Sequence, residues 1–271
     1  MCIFVPMKKS EFSFIDDIAK TFGALPHNGF EPIGDDCTVL DMGSDALVLS
    51  TDMLVEDVHF LRGASSPEEV GYKSLMVNIS DVAAMGATPT ATLLSLSLPE
   101  SAQGEWAEGF MRGFYEGCAK YGVALVGGDT TASRDKICIN VVAIGRAPKA
   151  NIKRRSAAKV GDLICVTGKL GASSKGLVDI MFGDLNTSAA KIHRRAQARI
   201  EEGKLLGACE AVHAMMDVSD GIASDIKHIM EQSAVGAEIE LSKVPTDYDI
   251  RFATTGGEDY ELLMHIDPSR F

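Results

Sequence analysis

Two short apolar, β-branched runs at residues 37–40 and 46–51 flank the turn-rich segment DMGSD, which predicts a hairpin whose second strand runs out into Ser50-Thr51-Asp52. The periodicity then becomes helical. Ser66-Pro67-Glu68-Glu69 has an N-cap serine, a proline at the first helical position and acids in the first turn. Val70, Leu75, Ile79, Val82 and Ala83 follow at helical spacing, and Gly86 and Pro89 end the helix. Asn78 and Asp81 share one face of it, on a stretch too apolar for a solvated surface. They either face something polar other than bulk water or form a buried cap or hydrogen-bond pair; the sequence leaves both open. Residues 123–126 predict a strand leading into VGGDTTAS, whose first reading is a structural turn. Two further strands are predicted at ICINVVAIG and from about Leu163 in GDLICVTG.

Composition narrows the class. The 271 residues are 46% hydrophobic, enough for two α/β domains or one large one. Lys149, Lys153, Arg154, Arg155 and Lys159 fall in an apolar-poor stretch that reads as a solvated linker, so the boundary is set there: residues 1–148 and 149–271. The strands CTVL, ALVLST, TLLSLSL and ICINVVAIG are apolar on both faces and need cover, which predicts a homodimer through the N-terminal domain. A net charge of −12 argues against nucleic acid and anionic membranes as partners. No run has the length of a membrane span and the opening MCIFVPMKKS does not fit a secretory signal, so a cytoplasmic setting is expected. The six cysteines, Cys2, Cys37, Cys118, Cys138, Cys165 and Cys209, show neither zinc nor disulfide spacing and read as small core residues.

Carboxylates recur where predicted strands end: GDD at 34–36, STD at 50–52, Asp81, GGD at 127–129 and DVSDG at 217–221. Each alone is more often a turn or a cap, and Asp220 would serve as the N-cap of GIASDIKHIM. Converging, they would stay ionised only with cations between them. Hard oxygen donors without cysteine or histidine point to magnesium, and magnesium to a phosphate substrate. No P-loop and no GxGxxG is present, and Asp217 stands where a nucleophile elbow needs glycine.

Taken in order, GDDCTVL, STDMLVEDVHF, NISDVAAMGATP, LVGGDTT, VTGKLGASSKGL, MDVSDGIASDI and GGEDYELL resemble the thiamine-monophosphate kinase family, of the superfamily that includes aminoimidazole ribonucleotide synthetase and selenophosphate synthetase. The resemblance runs from about residue 11 to about residue 266. It implies a two-domain α/β (α+β) fold of the aminoimidazole ribonucleotide synthetase type, an N-terminal sheet domain that dimerises, and ATP-dependent phosphorylation of thiamine monophosphate to thiamine diphosphate. By matching motif positions, Asp36, Ser50, Thr51, Asp52, Asp81, Asp129, Asp217 and Asp220 would hold several magnesium ions. Gly128, Arg146 and Ser219 would contact ATP, and His59 and Glu258 the thiamine substrate. The chain is shorter than the family pattern between Val244 and Gly256, and the resemblance implies a further segment after residue 271 that completes the second domain and adds an aromatic substrate contact. No covalent nucleophile is expected, since Ser219 sits between Asp217 and Asp220 with no histidine within its motif and His59 belongs to the proposed substrate loop. The alternatives are another ATP-using member of the superfamily, a ring-closing or selenophosphate-type synthetase, or a non-catalytic nucleotide-binding protein. Cys2 lacks the glycine-rich surroundings the selenophosphate type needs, and no metal carboxylate is lost as the non-catalytic reading would require.

Overall fold

The computed structural model describes residues 11–270; Cys2 lies outside them. The predicted hairpin forms from β1 (Thr38–Asp41) and β2 (Asp45–Val55), so the second strand carries Ser50, Thr51 and Asp52 within it. With β3 (Thr88–Leu98), β4 (Ala124–Ala132) and β5 (Cys138–Pro148) they make one sheet in the order β1-β2-β5-β3-β4. Only the β3–β4 pairing is parallel. A second sheet, β6-β8-β7, is antiparallel and consists of β6 (Leu163–Val166), β7 (Val212–Asp217) and β8 (Leu262–Ile266). The helices are α1 (Glu11–Phe22), α2 (Pro67–Ala84), α3 (Glu105–Tyr121), α4 (Ala172–Met181), α5 (Ser188–Arg194), α6 (Ile200–Ala208), α7 (Ile222–Ser233) and α8 (Ile250–Thr255).

Helix α2 starts where the sequence predicts. The Ser66 hydroxyl accepts from Glu69 N at 3.1 Å and Glu69 returns a bond to Ser66 N at 2.8 Å, so two otherwise orphaned donors are satisfied. The helix is buried nearly all round because it lies between the first sheet and α3. Contact with α3 is close enough to require glycine: a Cβ on Gly71 would stand 2.0 Å from Phe110 O, and one on Gly113 1.9 Å from Glu68 O. The larger apolar core joins Leu75, Met76, Ile79, Phe110 and Phe114 to Met215, Leu262 and Ile266, so it crosses the expected boundary at residue 148. A smaller core, including Leu170, Met216, Ile222 and Ile229, lies under the second sheet.

Side chains alternate on the first sheet, and α2 covers one face only. Ala46, Val48 and Leu54 are buried beneath it, while Thr51 and Met53 on the opposite face are exposed. VGGDTTAS is not a turn: residues 127–132 continue β4, which is exposed along its whole length at the sheet edge. Val126 is the extra residue of a bulge against β3. Gly128 then takes φ +151°, and a Cβ there would lie 1.8 Å from Leu94 O, so the strand tolerates only glycine.

The basic stretch is also not a solvated linker. Lys153 is buried and donates to the carbonyls of Cys209 and Val212 at 2.9 and 2.8 Å, and Arg154 pairs with Glu31. Cys209 is exposed rather than in the core, and the five described cysteines are free thiols. Among the described residues no helix is long and apolar enough to cross a membrane.

Candidate active site

Three segments remote in sequence bring acids together. Asp36 precedes β1, Asp81 lies on α2 and Asp217 ends β7, and one carboxylate oxygen of each lies within 4.8 Å of the others. Asp52 joins them from β2, against Asp81. The helical face noticed in the sequence packs on β2. Asn78 Oδ1 accepts from Asp52 N at 2.8 Å, and its Nδ2 donates to Ser74 O at 2.9 Å. Ser50 Oγ donates to Asp81 Oδ2, and Ser80 Oγ to Asp217 Oδ2 at 2.5 Å. Asn78 is therefore structural, and Asp81 faces the acids.

These carboxyls are held far from their ordinary ionisation. Burial, then the charge of Asp36, pushes Asp217 up to about 8. Burial, then Asp52, Asp217 and Asp36, pushes Asp81 well up. Burial raises Asp36 as well, and Arg155 opposes it through an ion pair. Asp35, whose carboxylate accepts from Arg155 N at 3.3 Å, is raised to about 7 by burial and then by Asp36. Asp36 Oδ2 is buried without a hydrogen-bond partner. An orphaned oxygen among three converging acids is the donor set of a hard cation.

The acids open onto a cleft of about 710 Å³ lined by Asp36, Ser50, Thr51, Asp52, Asp81 and Ser219, with an apolar wall from Phe22, Leu25, Pro26 and Ile33. Arg155 also lines it. Sequence reasoning missed Arg155 because it belongs to a cluster of charges whose others turn elsewhere. Thr51 borders the cleft, but its hydroxyl donates to Val141 O at 3.1 Å and accepts from Asn140 Nδ2 at 2.9 Å.

Four expected residues stand apart from this cluster within one chain. Asp129 is level with Ser95, Asn140 and Met53 in the sheet register, which puts it on the uncovered face. Three strand spacings separate β4 from β2, about 14 Å. Gly128 shares that edge strand. Arg146 is exposed and pairs with Asp45 near the start of β2. Asp220 is exposed beside Asp225 and does not cap α7, whose N-cap is Gly221 without a side-chain bond.

A second group lies apart from the acids. Glu258 takes a left-handed φ of +65°, and its Oε2 lies 3.0 Å from Lys73 Nζ and 3.2 Å from His193 Nδ1. His59 Nδ1 accepts from Val55 N at 2.9 Å, which assigns the ring proton to Nε2. A cavity of about 30 Å³ beside them is lined by His59, Lys73 and His193 among apolar side chains. Ser173 Oγ lies 3.0 Å from His193 Nδ1. Serine, histidine and glutamate thus meet, yet Ser173 and Glu258 address the same ring nitrogen. A relay needs both nitrogens, one for each partner. Lys73 and His193 were also missed; a lysine within an apolar helix run was the one available signal.

Comparison with known proteins identifies the family. Residues 34–147 match the family described as AIR synthase related protein, N-terminal domain, and residues 159–268 its C-terminal domain. Thiamine-monophosphate kinase of Buchnera aphidicola subsp. Acyrthosiphon pisum is 37% identical over 277 residues, covering 96% of this chain and 84% of that protein. The Bacillus subtilis thiamine-monophosphate kinase is 37% identical over 274 residues, covering 93% and 82%. The structure of AaThiL complexed with AMPPCP and TMP superposes with a TM-score of 0.89 at 34% identity, covering 98% of this chain and 89% of that one. The chain belongs to the thiamine-monophosphate kinase family.

Proposed function

We infer that this protein transfers the γ-phosphoryl group of ATP to the phosphate of thiamine monophosphate, giving thiamine diphosphate and ADP. The observation that carries the reading is the meeting of Asp36, Asp81 and Asp217, from both matched halves, beside a cleft of about 710 Å³. The relative complexed with AMPPCP and TMP supports the pair of substrates.

Asp36, Asp52, Asp81 and Asp217, with Ser50 beside them, fit magnesium by their hard donors and by the orphaned Asp36 oxygen. When bound, magnesium supplies positive charge between two phosphate groups that would otherwise repel. Thr51 borders the cleft and Asp220 follows Ser219 outside the acidic cluster; both are assigned to the metal by motif, and Ser219 to ATP. On the substrate side, His59, whose ring is held by Val55 N, and Glu258 are assigned to thiamine monophosphate. The acceptor phosphate is already anionic and needs no base. Ser173 is fully buried, and its only histidine is shared with Glu258 through one nitrogen, so the reading is direct transfer without a phosphoenzyme.

The reading includes a homodimer with one N-terminal domain (1–148) and one C-terminal domain (149–271) per chain. Support comes from the uncovered face of the first sheet, where Met53 is 55% exposed. Asp129 and Arg146 belong to that face and Gly128 to its edge, so their metal and nucleotide roles are exercised at the interface. A cytoplasmic setting is supported by the free cysteines.

The test is ADP release by the purified chain with magnesium, comparing thiamine monophosphate with free thiamine. Turnover with the monophosphate alone is expected, and Asp81→Asn should remain folded and lose nearly all of it. Preference for free thiamine, or full turnover by Asp81→Asn at limiting magnesium, refutes the assignment.

A further inference from the structure

We propose that Lys73 and His193 are positioning residues for the thiamine side of the reaction, clamping one oxygen of Glu258 so that the other meets the substrate. The inference rests on the reading of Glu258 as a substrate contact.

Lys73 is 3% exposed within α2, a depth at which lysine is rarely found without a partner. Its Nζ lies 3.0 Å from Glu258 Oε2, and His193 Nδ1 approaches the same oxygen at 3.2 Å. Both occupy Oε2, which leaves Oε1 as the acceptor for a donor on the substrate. An ionised carboxylate only accepts, so Nδ1 carries the ring proton. Burial and the neighbouring Lys73 push His193 down to about 4, so lysine supplies the charge while the neutral ring turns its Nδ1 toward both Glu258 Oε2 and Ser173 Oγ. Burial would raise Glu258, and Lys73 above all opposes it, so the carboxyl is held below its ordinary range.

Backbone geometry separates a clamp from a plain ion pair between two halves of the protein. Glu258 is a non-glycine residue at φ +65°, a region that persists only where the surroundings over-determine it. Glu258 N also donates to Ser219 O at 2.8 Å, so main chain and side chain are fixed from opposite sides. A structural bridge needs neither the unfavourable backbone nor two donors on one oxygen. Preorganisation of a substrate contact needs both.

The test is initial-rate kinetics on the full chain with Lys73→Met, Lys73→Arg, His193→Leu, Glu258→Gln and the double variant Lys73→Met/Glu258→Gln. We expect Lys73→Met and Glu258→Gln each to raise KM for thiamine monophosphate about tenfold, with KM for ATP within about twofold. The double variant should be no worse than Glu258→Gln alone, because Lys73 acts through Glu258. Lys73→Arg should restore most of the affinity. If Lys73→Met does not fold, His193→Leu carries the same comparison, its loss disappearing in the Glu258→Gln background. A raised KM in Glu258→Gln with an unchanged one in Lys73→Met, or additive losses in the double variant, overturns the proposal alone. An unchanged KM in Glu258→Gln overturns the substrate reading and the proposal with it.

Discussion

Removing metal should make this protein less stable as pH rises, and Asp217→Asn should reverse the effect. Asp217 is 1% exposed, and burial followed by the charge of Asp36 lifts its carboxyl from 3.8 to about 8. In the unfolded chain it ionises near 3.8. Between those values the folded protein holds a proton that the unfolded chain has released, so stability falls as pH rises and the loss is complete above about 8. A gap of about four pH units is on the order of 6 kcal/mol for an isolated group. Asp36 and Asp81 share the repulsion and are relieved by the same substitution, so we expect about 2–4 kcal/mol from Asp217→Asn. Asparagine keeps an oxygen for the Ser80 hydroxyl, so the change removes charge and little else.

The measurement is urea unfolding in a chelator, wild type against Asp217→Asn, from about pH 4 to about pH 9. The two proteins should be close at the acid end and diverge as pH rises, with the variant the more stable. Excess magnesium should stabilise the wild type, by about 2.7 kcal/mol at a hundredfold excess over the dissociation constant, and the variant much less. A pH-independent difference between them, or a variant less stable than wild type at alkaline pH without metal, refutes the claim that these acids repel one another in the fold.

Other outcomes follow from single contacts. Ser66→Ala removes half of the capping box and should cost about 1 kcal/mol in thermal or urea unfolding, with ATP binding unchanged. Met53→Glu puts charge on the uncovered sheet face and should give a monomeric mass by light scattering with helix content retained; a monomeric wild type at micromolar concentration sinks the dimer itself. Incubating enzyme with γ-labelled ATP and magnesium, without thiamine monophosphate, should leave no label on denatured protein; stoichiometric label that chases into product rules out direct transfer.

Local signals were legible in the sequence where a residue's conformation is decided by its neighbours. The β1–β2 hairpin and the α2 start are read from turn residues, cap and period, and both form as expected. VGGDTTAS misleads because two glycines look like a turn, whereas the bulge at Val126 and the close approach of Leu94 O make glycine the strand residue there. Asp36, Asp81 and Asp217 could be suspected from their motifs, but their meeting depends on packing α2 between β2 and β7. Arg155 was hidden in a basic run whose members take unrelated partners. Lys73 and His193 lie 120 positions apart, and neither has a partner within its own motif.

Three acids of GGEDYE tie the acidic group to the Glu258 group. Glu258 docks on Lys73 in α2, Asp259 accepts from Gly171 N and Ser173 N at the start of α4 at 2.6 and 3.2 Å, and Glu261 holds Arg199. The same segment is stitched to the loop after Asp217: Val218 N donates to Glu261 O at 2.8 Å, Glu258 N to Ser219 O at 2.8 Å and Tyr260 N to Val218 O at 2.9 Å. A shift of either segment therefore drags the other. Since Asp217 belongs to the acidic group and Glu258 to the proposed thiamine contact, the spacing between these two groups is set by backbone bonds rather than by flexible side chains. In-line transfer depends on that spacing more than on any single group.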